Sequence, residues 1–252
     1  QLQALGRIHS GIEAREAIET AQDAGFENIN IDLMFALPGQ DANIAKADVE
    51  IATTAAVQHI SYYQLTLEPN TVFYRRPPVL PDDDQAWLIQ RQGQQLLEAT
   101  GYAQYEVSAF SQAGRQCRHN LHYWRFADYL GIGAGAHAKI SHLAEGTIQR
   151  FSKLRHPQQY ISDIDSPQRI QQDRQLARSD RLLEFCMNAL RLTDGFSLLE
   201  FEQTTGLAIA DIEPILKQAE QKAWLHRNGD RVKTTALGSR FLDDVLQLFM
   251  TT

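Results

Sequence analysis

The order of hydrophobic periodicities ahead of residue 70 constrains this chain more than any other feature. Residues 12 to 24 place Ala14, Ala17, Ile18 and Ala21 on one helical face, and Gly25 stands where a left-handed C-terminal cap is expected. In the next run, ENINIDLMF, Ile29, Ile31 and Leu33 alternate with polar residues until Leu37-Pro38-Gly39-Gln40, which predicts a strand closed by a turn. Residues 43 to 57 return to a helical pattern, and HISYYQLTL at 59 to 67 is short, β-branched and aromatic. Helix, strand, helix, strand in this order predicts an α/β fold with parallel strands and crossover helices, as in a barrel or a doubly wound sheet.

Past the proline-rich RRPPVLPDDD, residues 83 to 100 predict an amphipathic helix through Trp87, Leu88, Leu96 and Leu97, closed by Gly101. The run Asp82-Asp83-Asp84 reads as its N-terminus, where carboxylates complement the helix dipole, rather than as a metal site. Strand-like YAQYEVSAF and YLGIGAGAHAKI follow, with CRHNLHYW expected in a loop between them. Residues 1–154 are expected to form one unit. Residues 155–179 are polar and Gln-rich and suit a linker or a surface helix. From 180 to 252 three helical runs, a strand-like DRVKTT and a last helix predict a small winged-helix-like module.

Charge limits the partners. The sequence carries a formal charge of -7, whereas nucleic-acid binding draws its affinity from clustered Lys and Arg. The third helix of the C-terminal module, the candidate recognition element, carries Glu213, Lys217, Glu220 and Lys222 with no net basic face. Packing within its own protein is the preferred role, and no nucleic-acid partner is expected. No apolar run approaches the roughly 18 residues of a membrane span. The two cysteines, Cys117 and Cys186, do not read as a disulfide framework, and a reducing cytoplasm is the expected setting. The chain opens on Gln1, already within a helix or a turn into one, so it is expected to begin inside a larger protein.

In parallel α/β folds ligands gather at the carboxyl ends of the strands, so polar residues there are candidates for a site. Asp32 sits in an otherwise apolar strand and can accept hydrogen bonds from a ribose or an amino group; a carboxylate satisfied by its neighbours is the competing reading. Thr66 near the end of the next strand is a weaker signal. In GIGAGAHA, residues 131 to 138, Gly131, Gly133 and Ala136 satisfy a loose dinucleotide fingerprint. No clear helix follows, and a strand with glycines for close packing is preferred. The cluster Cys117, His119, His122, Tyr123 and Trp124 offers ligands for haem iron beside aromatic walls, or else a packed core with backbone-bonded histidines. It lacks the paired ligand sets of a structural zinc site and the CxxCH motif of attached haem.

The phrases LGRIH, NIDLMFALPGQ, SYYQLTLEPNT, RRPPVLPDDD, CRHNLHYW and YLGIGAGAH, in this order, resemble the HemW family of radical S-adenosylmethionine proteins, relatives of oxygen-independent coproporphyrinogen III oxidase. The resemblance runs the length of the chain. It implies the C-terminal part of a partial (βα)6 barrel, with its last two strands, followed by the family's winged-helix-like domain. It also implies S-adenosylmethionine and a 4Fe-4S cluster in the intact protein, whose CxxxCxxC ligands are absent from this sequence. Carried over residue by residue, Arg7 resembles the arginine that pairs with the methionyl part of S-adenosylmethionine, and Asp32 the carboxylate near its ribose. Thr66 and His137 fall at further contacts to the same cofactor. CRHNLHYW fits the HNxxYW pattern of the haem-chaperone branch, which makes His119 the preferred haem contact, with His122, Tyr123 and Trp124 beside it. The implied function is to bind haem and pass it to an acceptor protein. The alternatives are porphyrinogen oxidation in porphyrin biosynthesis and a non-catalytic binding scaffold. Enzymatic activity stays open, and the chain alone is expected to be inactive.

Overall fold

The computed structural model describes residues 1–250, and these divide into two compact units, residues 1–117 and residues 118–250. In the first unit, α1 (Gly11–Asp23) starts at a capping box. Ser10 Oγ accepts from the Glu13 amide, and the Glu13 carboxylate accepts from the Ser10 amide. β1 (Asn30–Phe35) leads to α2 (Ala42–Thr54), whose N-cap Asp41 accepts from the amides of Asn43 and Ile44. β2 (His59–Gln64) follows, and it lies parallel to β1 with Asp32 opposite Ser61 and Met34 opposite Tyr63. The expected parallel crossover is therefore present.

α3 (Val72–Arg75) is a single turn, and α4 (Asp83–Ala99) begins at Asp82, whose carboxylate caps the Gln85 amide. β3 (Ala103–Glu106) and β4 (Ala109–Ser111) turn what reads in sequence as one strand into a hairpin. Its second strand adds antiparallel to β2, giving the order β1-β2-β4-β3. One face of the sheet carries Ile31, Leu33, Phe35, Ile60 and Tyr62 into a core with Ala45, Val49 and Ala52 of α2 and Ile89 and Leu97 of α4. Gly93 lets α4 lie against Tyr62, since a Cβ there would stand 2.3 Å from the phenol oxygen. The opposite face of β1 and β2 presents Asn30, Asp32, Met34, His59, Ser61 and Tyr63.

In the second unit, α5 (Arg118–Trp124) is a helix where the sequence suggested a loop. None of its residues is buried, so no apolar stripe marks it in sequence. β5 (His137–His142) and β6 (Thr147–Lys153) are antiparallel; α6 (Pro157–Ser162) and then β7 (Ile170–Gln175) follow, and β7 completes a sheet of order β5-β6-β7. The stretch 155–179 thus contains a helix and a paired strand, and the division between compact units falls at Cys117/Arg118, not at 154. The reason is packing: Phe126, Ile148 of β6 and Leu176 belong to the same core as the helices that follow.

Those helices are α7 (Arg178–Ala189), then β8 (Phe196–Ser197), α8 (Leu198–Thr205) and α9 (Ile209–Gln221). A hairpin of β9 (Leu225–Asn228) and β10 (Arg231–Thr234) joins β8 in a sheet of order β8-β10-β9, ahead of α10 (Ala236–Arg240) and α11 (Leu242–Met250). Three helices and a small sheet give the winged-helix-like arrangement. Phe185 lies edge-on to Phe126, Phe196 and Phe201 at its centre. On α9, Glu213 and Glu220 pair with Arg227, and Lys217 pairs with Glu213, so the charges of the helix are balanced within the unit. No helix among the described residues is long and apolar enough to cross a membrane.

Candidate functional sites

A cavity of about 830 Å³ opens in the first unit. The segment before α1 supplies Arg7 and His9, α1 supplies Ile12 and Ile18, and β1 supplies Ile31 through Met34. Asp48 and Ile51 come from α2, and Tyr63 from β2. Its size lies in the range of cofactor pockets, and the mixture of apolar wall with a few polar groups is usual for them. Arg7 and Asp32 therefore line one cleft. Both are exposed, and the field of each reaches Tyr63. Burial raises the Tyr63 phenol pKa, the Asp32 carboxylate raises it further, and the Arg7 guanidinium acts in the opposite sense. Asp48 is also raised, by burial, against a hydrogen bond donated by Gln40 Nε2 at 2.9 Å.

Asp32 is held on one side only. Asn30 Nδ2 donates to Asp32 Oδ1 at 2.9 Å, and Asn30 Oδ1 lies 2.6 Å from His59 Nδ1 and accepts from Ser61 Oγ at 3.1 Å. His59 Nε2 is 2.8 Å from the Tyr105 hydroxyl, which also accepts from the Cys117 amide at 3.4 Å. Sequence reasoning named Asp32 but not Asn30, His59 or Tyr105. The signal was available in the alternation of both strands, which puts Asn30, Asp32, His59 and Ser61 on one face. Thr66 lies beyond the end of β2, exposed, and donates to Glu68 Oε1 at 2.8 Å; it is not on the cavity wall.

In the second unit the aromatic cluster resolves into separate roles. His119 on α5 is exposed and stacks edge-on against Tyr123 at 4.8 Å, and it makes no hydrogen bond among the described residues. Tyr123 in turn packs on Tyr129 at 4.5 Å. His122, by contrast, has its Nε2 2.5 Å from the Asp128 carbonyl oxygen, so it donates there and closes the turn after α5. Trp124 lies under the Arg191 guanidinium at 4.3 Å, and its buried Nε1 has no hydrogen-bond partner. His119, Tyr123 and Tyr129 thus form a row, while His122 and Trp124 serve the packing beside it. Tyr129 is the member that sequence reasoning missed, because it stands outside CRHNLHYW, at the head of YLGIGAGAH.

The glycine run lacks the helix of a dinucleotide fingerprint. Gly131 sits against the backbone of His137, where a Cβ would approach the carbonyl oxygen to 2.1 Å, and β5 follows where a fingerprint needs a helix. His137 is exposed at the start of β5, opposite Ser152.

Comparison with known proteins agrees with the motifs. The HemN C-terminal domain model matches residues 176–241, from just before α7 to the end of α10. The chain is 44% identical over 251 residues to the haem chaperone HemW of Haemophilus influenzae, covering 100% of this chain and 64% of that protein. It is 43% identical to the haem chaperone HemW of Escherichia coli, covering 99% of this chain and 65% of that protein. This chain is HemW-like. The HemW-like chain spans slightly less than two thirds of the length of these relatives. Its fold matches the solved structure of coproporphyrinogen III oxidase (HemN) from Escherichia coli, a radical SAM enzyme, with a TM-score of 0.77 at 17% identity over 99% of this chain and 61% of that one.

Proposed function

We propose that the protein binds haem and delivers it to an acceptor protein, with His119 as the iron-contacting residue and Tyr123 and Tyr129 as the aromatic wall beside it. The observation that carries this reading is the division of labour on α5: His119 is exposed with no hydrogen bond, whereas His122 is committed to the Asp128 carbonyl. A neutral imidazole with a free ring nitrogen is what an axial iron ligand requires. The names of the relatives, haem chaperones, support the same reading.

S-adenosylmethionine is placed by this proposal in the cavity of the first unit. Arg7 suits its carboxylate, through the planar fork of the guanidinium. Asp32 suits the ribose hydroxyls, and Ile12, Ile18, Ile31 and Leu33 offer apolar surface. Thr66 is engaged with Glu68, and His137 is exposed at the start of β5; both stay candidates for contacts to the same cofactor. This chain's own cysteines do not fit a 4Fe-4S cluster. Cys186 is fully buried in α7, where burial pushes its thiol up, and Cys117 alone remains. When bound, the cluster would supply an electron; the residues here supply binding and orientation only.

The test is haem titration of the complete gene product, made anaerobically with its cluster, beside an assay of carbon dioxide release from coproporphyrinogen. A Soret change without decarboxylation is expected. Decarboxylation above a cluster-free control would favour the oxidase, and an unchanged Soret spectrum would favour a binding scaffold.

A further inference from the structure

The hydrogen bonds behind Asp32 have one consistent direction, and it follows from the carboxylate outward. An ionised carboxylate only accepts, so Asn30 must turn its Nδ2 toward Asp32 Oδ1 at 2.9 Å. That fixes Asn30 Oδ1 at the other end, where it accepts from Ser61 Oγ at 3.1 Å and from His59 Nδ1 at 2.6 Å. His59 therefore carries its proton on Nδ1. In the neutral ring Nε2 is then an acceptor, and the Tyr105 hydroxyl donates to it at 2.8 Å, while accepting from the Cys117 amide. Every donor points toward Asp32. His59 and Tyr105 are 3% and 4% exposed, so the interior of this relay is shielded from competing water. Asp32 Oδ2 has no partner among the described residues.

We propose that Asn30 and His59 are positioning residues that fix the rotamer of Asp32 and leave Oδ2 directed into the cavity to accept from the vicinal hydroxyls of a nucleoside. The proposal rests on the reading of this cavity as the S-adenosylmethionine site. Burial lowers the His59 pKa, against the fields of Glu106 and Asp32, and so favours the neutral ring that the relay requires. Asn30 is the pivot: it converts the δ-protonated histidine into an N–H donor for the carboxylate. An aspartate at position 30 would keep the shape and lose that donor.

The experiment is calorimetric titration of S-adenosylmethionine into the complete gene product with its cluster in place, for the parent and the variants Asp32→Ala, Asn30→Asp, His59→Leu and His59→Asn. The first three are expected to weaken binding roughly tenfold, the order expected for a hydrogen bond to a charged group. His59→Asn, whose amide can replace the Nδ1 donor, is expected to stay within about twofold of the parent. A packing role alone would order the last two the other way, because leucine fills the buried space and asparagine does not. If Asp32→Ala binds as the parent does, the reading of the cavity fails. If Asp32→Ala is weakened while Asn30→Asp and His59→Leu are not, the relay fails and the cavity reading stands. Nitrogen chemical shifts of the His59 ring give a readout that needs no variant. The Nδ1-protonated tautomer near pH 7.5 supports the relay, and the Nε2-protonated or doubly protonated ring overturns it.

Discussion

Lys139 Nζ lies 2.8 Å from Asp128 Oδ1, and the lysine side chain is 2% exposed while the aspartate is 40% exposed. The ammonium also donates to the Phe126 carbonyl at 2.9 Å and to Ser141 Oγ at 3.0 Å, and it sits 4.1 Å from the centre of the Phe126 ring. Asp128 completes the knot by accepting from the Ser141 amide at 2.8 Å. The knot fixes the turn between α5 and Tyr129, the turn that His122 also closes. It thereby holds the two tyrosines beside His119 in register.

Removing one partner should cost more than removing the charge. Asp128→Ala leaves a buried ammonium without its counter-ion and is expected to destabilise the second unit by about 2–3 kcal/mol, below the full cost of a broken buried pair because Asp128 is partly solvated. Lys139→Met removes the charge and keeps most of the stem, and is expected to cost less than Asp128→Ala. Urea midpoints of the two variants check the order.

At Gly93 the packing leaves no room for a methyl group against Tyr62. Gly93→Ala is expected to lower the stability of the first unit by roughly 1–3 kcal/mol through overpacking, despite the better helix propensity of alanine. Denaturant unfolding followed by the signal of the first unit measures it.

Acid should loosen the first unit before it affects most carboxylates. The folded-state pKa of His59 is lowered by burial, so the unfolded chain binds the proton more readily. The contribution is present above the unfolded value of about 6.5 and is lost as pH falls from there through the folded value. His59→Asn is therefore expected to flatten the fall in stability below about pH 6.5. Unfolding midpoints of parent and variant across that window check it; parallel curves would count against a buried neutral His59.

Arg7 and Lys would not be equivalent in the cavity. Arg7→Lys keeps the charge but loses the two parallel N–H donors suited to a carboxylate, and is expected to weaken S-adenosylmethionine binding by about 1–2 kcal/mol in the complete gene product. Calorimetry measures the change.

Much of this was legible in sequence where burial and periodicity coincide. β1 and β2 alternate against a helix-covered face, and the run that begins at Asp82 stands where α4 begins. β7 was not legible: it is an exposed edge strand, IQQDRQ, with a single half-buried residue, and its polarity suits an edge and resembles a linker. Likewise the final helical run breaks at Phe241, whose ψ of 44 separates α10 from α11, although its apolar pattern continues. At the sites, motifs pointed to Arg7, Asp32 and His119. They did not single out Asn30 or His59: alternation puts both on the face of Asp32, but it does not tell residues of a hydrogen-bonded relay from other polar residues of that face.

The account turns on which imidazole of α5 meets iron. The measurement is a Soret titration of the complete gene product with haem, comparing the parent with His119→Ala and His122→Ala. His119→Ala is expected to weaken haem binding at least about tenfold and to shift the Soret maximum, the loss of one axial ligand. His122→Ala should keep the parent spectrum, since its ring is spent on the Asp128 carbonyl. A spectrum and affinity unchanged in His119→Ala would contradict the account.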